Sequence, residues 1–206
     1  VTSYVYDAAG RVTAVTNNNG EVSKTFYDDV GRVKYKVNPE GDAVGYVYNN
    51  LGQVISETAY YNKFIGSSVA KNAAKDIETR YEYDAAGRVT KAIREHGSED
   101  VVTTNQYDGA GRLIKTTVGG DRHTRYFYDK DGLQVGLLNA EGYLTETVYD
   151  NVGRVVGTIR YSAEVTGSTF ASGSFTSVKA IADNSAELYT YNFYDYQGRL
   201  VGHVDE

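Results

Sequence analysis

One group of side chains recurs in this sequence that could, in another setting, carry out acid–base chemistry. The motif Tyr-Asp-x-x-Gly-Arg, as in YDDVGR at residues 27–32, holds a phenol, a carboxylate and a guanidinium close together. Groups of these types transfer protons and bind anions when they converge on one substrate. The motif occurs eight times in 206 residues, however, and eight copies of one catalytic site along a chain are implausible. We therefore predict a structural motif, no catalytic residues and no enzyme activity.

The eight copies differ in detail. The third copy has Asn49 and Gln53 where others have aspartate and arginine, and the sixth has Leu133 in place of arginine. These departures weaken single copies and leave the repeat recognisable. The positions predicted to form the structural repeat are Tyr6, Asp7, Gly10, Arg11, Tyr27, Asp28, Gly31, Arg32, Tyr48, Gly52, Tyr83, Asp84, Gly87, Arg88, Tyr107, Asp108, Gly111, Arg112, Tyr128, Asp129, Gly132, Tyr149, Asp150, Gly153, Arg154, Tyr194, Asp195, Gly198 and Arg199.

Two other clusters contain chemically useful residue types. His96 stands near Glu95, Glu99 and Asp100, which makes this the best metal-like cluster in the chain, but its spacing is more typical of a solvated turn between strands. The segment GGDRH at 119–123 is rich in glycine and basic residues. It lacks the strand–loop–helix context of a phosphate-binding loop, so we interpret it as a tight turn. We therefore predict no metal and no cofactor.

The elements that position the repeated motif follow from its spacing. The separation of the leading tyrosines is most often 21 residues, and glycines recur every 10 or 11 residues. In RVKYKV at 32–37, apolar and charged residues alternate, which is the pattern of a strand with two different faces. NPEG at 38–41 then interrupts the strand with turn-forming residues. One repeat is thus strand, turn, strand, turn, and the chain predicts about sixteen strands of roughly 5–7 residues in consecutive antiparallel hairpins.

The motif itself has the chemistry of a hairpin turn. Its aspartate can accept hydrogen bonds from backbone N–H groups further round the turn. Its glycine can adopt a positive φ, as in a type I turn that is closed by a left-handed residue. The arginine begins the next strand and its stem can lie along apolar surface, while the tyrosine ends the previous strand and supplies a large ring. We therefore predict that the repeat tyrosines are packed rather than ligand-binding.

Composition excludes several functions. The chain has no cysteine, which rules out disulfides, thiolate nucleophiles and cysteine-ligated metals. Its net charge of −6 makes a nucleic-acid-binding surface improbable, and no apolar run approaches the roughly 20 residues that span a bilayer. The chain begins inside a strand-like segment and shows no signal peptide, which indicates a piece of a longer repeat chain.

Two segments interrupt the short period, at about 62–79 and 162–188, and both follow a segment that repeats with an offset of 101 residues. This offset indicates a longer unit, about 100 residues, laid over the short one. Residues 67–80 contain alanines and mixed charges and predict a short helix or helical loop. The second interruption begins as a Ser/Gly/Thr loop, and its part 174–188 predicts one helical segment. We interpret both as decorated hairpin loops that the array can lose, with a risk that Phe64, Ile65, Phe170 and Phe175 plug the open sheet face instead.

The repeated Tyr-Asp-x-x-Gly-Arg motif with a period near 21 resembles the YD repeat, also called the RHS repeat. The resemblance covers nearly the whole chain apart from the two insertions. It implies an all-β fold in which consecutive antiparallel hairpins form a curled or spiralling sheet, a segment of a β-shell. In bacterial insecticidal toxin complexes and polymorphic toxins such a shell surrounds a toxic C-terminal domain, and in teneurins a similar shell belongs to cell-adhesion proteins. The Asp-Pro-x-Gly pattern of the self-cleaving aspartyl protease often found in these shells is missing, and DKDGL at 129–133 echoes it only weakly.

Two functions follow from the repeats and the resemblance. The first is a single non-catalytic array over residues 1–206 that forms part of a shell around a toxin or effector domain. Its partners are then the rest of the same chain and an enclosed C-terminal toxin domain, in a secreted or exported effector, with the cell surface as the alternative location. The alternative is a repeat module that binds carbohydrate or a cell surface through its tyrosines. The first predicts that the repeat tyrosines pack on neighbouring hairpins, and the second predicts rows of exposed rings.

Overall fold

The computed structural model describes residues 1–96, 99–183 and 187–206, in which sixteen strands and two short helices are found. The chain divides into two compact units, Val1–Thr104 and Asn105–Glu206, which we call unit 1 and unit 2. Unit 1 contains β1 Ser3–Tyr6, β2 Val12–Thr16, β3 Val22–Tyr27, β4 Val33–Val37, β5 Ala43–Tyr48, β6 Val54–Ala59, β7 Ile77–Tyr83, β8 Val89–His96 and most of β9 Glu99–Tyr107. Unit 2 contains β10 Leu113–Val118, β11 Arg122–Tyr128, β12 Gln134–Leu138, β13 Leu144–Tyr149, β14 Val155–Tyr161, α1 Gly167–Ser172, α2 Phe175–Ala182, β15 Glu187–Tyr194 and β16 Leu200–Asp205.

Within each unit, every strand pairs antiparallel with the next strand along the chain. In the hairpin of β3 and β4, Phe26 lies opposite Tyr35, and the register then shifts so that Tyr27 lies opposite Val33. The same shift precedes the motif tyrosine in the other motif hairpins whose register is described. The prediction of an all-β chain of consecutive antiparallel hairpins is therefore confirmed.

The turn chemistry expected of the motif is also present. In the second copy, the Gly31 N–H donates to the Asp28 carbonyl at 3.0 Å and the Asp28 N–H donates to the Arg32 carbonyl at 2.8 Å. Gly31 has a φ of +91°, a conformation in which a Cβ atom is strained. The two bonds close the turn around the one residue that tolerates this φ, so the glycine sets the register of both strands.

We expect Gly31→Val to destabilise unit 1 more than Arg32→Gln. A branched residue at this φ is strained by roughly 1–2 kcal/mol, and a Cβ would also lie 3.0 Å from Arg11 Nη1. Glutamine at the arginine position is already present in the third copy, as Gln53, so its loss of charge is tolerated by the turn. Urea unfolding of the two variants measures the difference. Equal midpoints would contradict a left-handed glycine turn.

The longer repeat predicted from the 101-residue offset has a direct structural counterpart. Just after β6 and β14, the chain returns to the preceding turn in the same way in both units. The Phe64 N–H donates to the Gly41 carbonyl and the Val165 N–H donates to the Gly142 carbonyl, each at 2.9 Å. The two insertions thus begin from equivalent anchors before their sequences diverge.

The insertions differ from the sequence expectation in structure and in role. Residues 67–76 contain no helix, and residues 77–80 belong to β7. The Asp76 carboxylate instead organises the first insertion as a loop, because it accepts hydrogen bonds from the N–H groups of Tyr61 at 2.9 Å and Asn72 at 2.8 Å. The second insertion holds the expected helix as α2, but the segment expected to be a loop holds α1 as well.

Each insertion packs on the sheet of its own unit, which counts against the interpretation of the insertions as surface decoration. In unit 2 the buried core consists of strand residues together with insertion residues: Phe127, Leu138, Leu144, Tyr161, Val165, Val178 and Ala182. Val178 of α2 is 0% exposed, as are Leu138 and Leu144 beneath it. An antiparallel sheet packs one of its two faces on a core, and in unit 2 the insertion covers that face.

Candidate functional site: the repeat ladder and the covered face

The motif aspartate is the centre of each turn. Asp84 Oδ1 accepts hydrogen bonds from the N–H groups of Ala86 at 2.9 Å and Arg88 at 3.0 Å, and its Oδ2 accepts from Arg88 Nε at 2.7 Å. The side-chain hydrogen bond from Arg88, together with the bond from the Arg88 backbone, lowers the pKa of Asp84. The same arrangement, with a lowered pKa, recurs at Asp7, Asp28, Asp108, Asp150 and Asp195.

The divergent copies keep the geometry without the full charge. In the third copy, Asn49 Oδ1 accepts from the Gln53 N–H at 3.0 Å, and Asn49 Nδ2 donates to Gln53 Oε1 at 2.7 Å. In the sixth copy, Asp129 Oδ1 accepts from the Leu133 N–H at 2.8 Å. The side-chain oxygen that holds the backbone is therefore retained in both copies, whereas the ion pair is not.

The motif tyrosine joins each repeat to the one before it. Its hydroxyl donates to the carbonyl of the residue that follows the arginine position of the previous repeat, as from Tyr27 to Val12 at 2.8 Å. The equivalent bonds join Tyr48 to Val33 at 2.7 Å, Tyr83 to Val54 at 2.6 Å, Tyr128 to Leu113 at 3.0 Å, Tyr149 to Gln134 at 3.0 Å and Tyr194 to Val155 at 2.9 Å. Burial is the largest cause that raises the pKa of Tyr48 and of Tyr128, which keeps the hydroxyl protonated as a donor.

The motif arginine of each of four repeats contacts the motif tyrosine of a following repeat. The Arg11 guanidinium carbon lies 4.4 Å from the centre of the Tyr27 ring. The same stacking joins Arg32 to Tyr48 at 4.6 Å, Arg112 to Tyr128 at 4.6 Å and Arg154 to Tyr194 at 4.8 Å. A cation over an aromatic face contributes about 0.5–1 kcal/mol at such partly exposed sites. We call this row of tyrosine, aspartate and arginine side chains the ladder.

We expect Tyr27→Phe to destabilise unit 1 measurably, by about 0.5–1.5 kcal/mol, the net worth of one hydrogen bond. The ring and its stacking partner remain, so only the bond to the Val12 carbonyl is lost. Tyr27→Ala should cost roughly 3–5 kcal/mol if the packing of the ring matters as it does in a core. The control is Tyr196→Phe, at a side chain that is 93% exposed. Chemical denaturation tests both, and a Tyr27→Phe variant as stable as wild type would show that the hydroxyl bond is dispensable.

We expect the stability of the protein to fall in acid, below about pH 4. The folded state lowers the pKa of the six aspartates named above below the usual value for this side chain, so their carboxylates add stability that is complete above the unfolded pKa. This stability is lost as the pH falls through the folded pKa. Thermal melting between pH 7 and pH 2.5 measures the loss. Asp84→Asn, which imitates Asn49, should reduce the loss of melting temperature between pH 7 and pH 2.5. An unchanged loss would mean that Asp84 does not contribute to the acid sensitivity.

In unit 1 the covered face carries an aromatic cluster. The face comprises the inward residues of β3 to β5, among them Phe26, Tyr35 and Gly45. Phe64 of the insertion stacks on Phe26 with ring centres 4.6 Å apart and meets Tyr35 edge-on at 5.4 Å. A Cβ on Gly45 would lie 2.9 Å from the Tyr60 ring and 3.0 Å from the Tyr35 ring. The glycine therefore makes room for rings that close over the strand.

In unit 2 the equivalent cluster is built by the helices. The Phe175 ring lies 5.6 Å from the Phe127 ring, and a Cβ on Gly136 would lie 2.6 Å from Phe175 Cε2. Gly136 stands one long repeat after Tyr35, so the missing side chain is replaced by one from the insertion. Val178 and Ala182 of α2 then cover Leu138 and Leu144.

Polar bonds fix the helices on the covered face of unit 2. The Arg125 guanidinium donates to the carbonyls of Thr169 at 3.2 Å, Phe170 at 3.3 Å and Gly173 at 2.6 Å, and so supplies hydrogen-bond donors to the C-terminal end of α1. Lys179 of α2 lies 2.8 Å from the Glu146 carboxylate. Burial and the hydrogen bond that the Tyr161 hydroxyl donates to Glu146 both raise the pKa of Tyr161.

The other sequence candidates do not assemble into a chemical site. The side chains of His96 and Glu99 lie outside the described residues, and Glu95 accepts an ion-pair hydrogen bond from Arg80. GGDRH forms the tight turn between β10 and β11, and His123 stacks on Phe170 with ring centres 4.1 Å apart. Among the described residues, no three or more His, Asp or Glu side chains come together as a metal site. No helix in the described part of the chain is long and apolar enough to cross a membrane.

The ladder tyrosines bear on the choice between a structural role and glycan binding. From the second copy onward, those described above donate their hydroxyls to the previous repeat, and four of them carry a guanidinium over the ring. They do not form the row of open rings that the glycan alternative requires. Sequence reasoning missed both bonds. A signal existed in the constant separation of 15 residues between the tyrosine and its acceptor in four of the six pairs, which only the hairpin register explains.

Comparisons with known proteins agree with this geometry. A family model described as teneurin YD-shell matches residues 66–204, and one described as RHS repeat matches residues 1–22. No curated protein matches the chain. Among solved structures, a pore form of the Tc holotoxin of Photorhabdus luminescens aligns with 99% of this chain and 9% of its own chain, at 15% identity and a TM-score of 0.52. A TcdB2-TccC3-Cdc42 crystal structure aligns with 99% of this chain and 13% of its own, at 14% identity and a TM-score of 0.39.

Proposed function

Because this chain belongs to the teneurin YD-shell family, we propose that it is a structural section of a shell wall that encloses or presents a toxin or effector domain. The chain spans only 9% of the holotoxin chain that it resembles. In this proposal, the rest of the wall is supplied by further repeats. In this proposal the wall carries no chemistry of its own, and its partners are the neighbouring repeats and an enclosed C-terminal domain. The assembled protein is then an exported or secreted effector.

The observation that supports this proposal most strongly is how the ladder uses its polar groups. The phenol, carboxylate and guanidinium that could have formed a catalytic group are bound within and between repeats. Arg32, for example, binds Asp28 at 2.7 Å and stacks on Tyr48. A residue whose donors and ring face are occupied by the adjoining repeat stabilises the wall rather than a substrate. Such nearest-neighbour bonding is the construction expected of a repeat array.

Limited proteolysis of the full-length protein that contains this segment tests the proposal. We expect the domain that follows the repeats to resist protease while the wall is intact, and to be cut when the wall is opened by Val178→Asp. The matched control is Ile181→Asp on the same helix, which leaves the core untouched and should leave the domain protected. A domain that is cut equally fast in the wild-type protein and in both variants would refute the enclosing role.

A further inference from the structure

A groove with a volume of about 560 Å³ lies in unit 2 between the ladder and the α1–α2 insertion. Three cationic side chains line it, Arg112 at the ladder and Lys115 and Arg125 on the strands β10 and β11. Asp108 is the single carboxylate among the described lining residues, and it is already bound to Arg112 Nε at 2.7 Å. The groove is therefore positively charged, although the whole chain has a net charge of −6.

The two strand cations of the unit 2 groove face each other across one strand pair. Lys115 lies directly opposite Arg125 in the antiparallel pair of β10 and β11, and both are half-buried. Like charges in directly opposed positions destabilise a sheet. The Arg125 guanidinium donates hydrogen bonds to the carbonyls of Thr169, Phe170 and Gly173. These carbonyls are uncharged, so they accept its hydrogen bonds without neutralising its positive charge. A negatively charged group between Lys115 and Arg125 would therefore be stabilised by both cations.

A similar groove lies in unit 1 one long repeat earlier, with one strand cation instead of two because Ala14 lies opposite Lys24. Its volume is about 440 Å³, and Asp7, Arg11, Lys24 and Phe26 line it. These residues precede Asp108, Arg112, Arg125 and Phe127 of the unit 2 groove by 101 positions each. In unit 1 as well, the single lining carboxylate is engaged, since Asp7 accepts from Arg11 Nε at 2.7 Å. Lys24 and Arg125 thus place a cation at equivalent strand positions in the two units, although the insertions of the two units differ in sequence.

We infer that each groove is a binding site for an acidic side chain of a polypeptide that lies over the groove. The cations supply the charge-assisted donors that a carboxylate accepts. The walls include the rings of Phe127, Tyr128 and Phe175 in unit 2, which suits a carboxylate on an organic chain better than a bare inorganic anion. The volume is within the range of small-ligand sites, roughly 300–1,000 Å³. This inference rests on the proposed function at one point, because an enclosed domain would provide such a polypeptide.

Titration calorimetry of the 206-residue chain at low ionic strength tests the inference. The probe is a capped peptide, Gly-Asp-Phe-Glu-Gly, and the control peptide has Asn and Gln at the acidic positions. We expect the acidic peptide to bind and the amide peptide to bind at least about tenfold more weakly, since charge-assisted bonds are the stronger class. Lys115→Gln should weaken binding about tenfold at the unit 2 groove, and the double variant with Lys24→Gln should remove most of the binding. Equal binding of both peptides overturns the inference.

Two controls separate this site from general charge effects and from the wall itself. Lys130→Gln removes one positive charge from an exposed turn of the same unit and should leave binding unchanged. Equal losses from Lys130→Gln and Lys115→Gln would mean that net charge, not the groove, attracts the peptide. Inorganic phosphate at the peptide concentration should not compete, and full competition would mean a site for any small anion. If the peptide fails to bind while the enclosed domain of the full-length protein stays protected from protease, the wall proposal stands and the groove inference fails.

Discussion

Replacing residues 166–183 with a short glycine-containing linker should abolish the cooperative folding of unit 2. The segment removed contains α1 and α2, whose side chains Val178 and Ala182 are fully buried against the sheet. Its loss exposes Leu138 and Leu144 to water and deprives Arg125 of three carbonyl acceptors. Uncovering one large core side chain costs about 1.5–3 kcal/mol, so uncovering several at once removes an amount comparable to the roughly 5–15 kcal/mol stability of a whole domain.

Loop entropy alone leads to the opposite expectation, since each doubling of loop length costs only about 0.6 kcal/mol and a shorter loop should be slightly favourable. Circular dichroism and binding of a hydrophobic dye decide between the two. We expect loss of the β-sheet signal of unit 2 and strong dye binding. The control deletes residues 66–68, the exposed tip of the first insertion, and should leave the melt nearly unchanged. Wild-type cooperativity in the variant without 166–183 would make the helices a dispensable decoration.

Val178→Asp should destabilise unit 2 by at least about 4 kcal/mol, the range reached when a charge is buried without a partner. Val178 is 0% exposed and lies in the core with Leu138, Leu144 and Tyr161, so an aspartate there cannot reach water. Ile181→Asp is the matched control, three positions further along the same helix at a side chain that is 38% exposed. Both variants place one aspartate in α2 and differ chiefly in burial.

Urea unfolding measures both variants. We expect Ile181→Asp to change the free energy of unfolding by less than about 1 kcal/mol, as most surface substitutions do. Similar losses in the two variants would mean that the charge acts on the helix itself rather than on its packing. No loss in either would mean that α2 is not held against the sheet in solution.

The hairpins could be predicted from sequence because their information is local. The aspartate, the glycine and the alternating strand residues that define a turn lie within about ten positions, as in the copy around Gly31. The insertions could not be predicted in the same way, since their structure is decided by distant partners. Residues 67–76 have a helix-compatible composition, yet the Asp76 carboxylate binds two backbone N–H groups and holds the segment as a loop. α1 has only six residues, and Arg125, more than forty positions away, satisfies its end.

The candidate sites show the same difference between local and distant information. The repeat positions were evident from their recurrence, but the bonds that join them were not, because the Tyr27 hydroxyl reaches Val12 only through the hairpin register. The basic grooves were missed for a related reason. Lys115 and Arg125 are ten positions apart and become neighbours only when β10 and β11 pair. Phe64 and Phe175 were named as a risk to the decorated-loop interpretation, and it is these rings that pack on the covered face.

The ladder also has a direction, and this direction matches the order in which a ribosome delivers the chain. The tyrosine of each later repeat donates to a carbonyl in the repeat before it, as Tyr48 does to Val33. The guanidinium that will cover that ring, Arg32, has likewise already been synthesised. For its ladder contacts, each emerging hairpin therefore finds its acceptor and its cation already in place, and only the cover of the sheet face waits for the insertion that follows. A long all-β chain built this way can fold vectorially, one hairpin at a time, and so avoids the distant strand pairings that slow folding and invite aggregation.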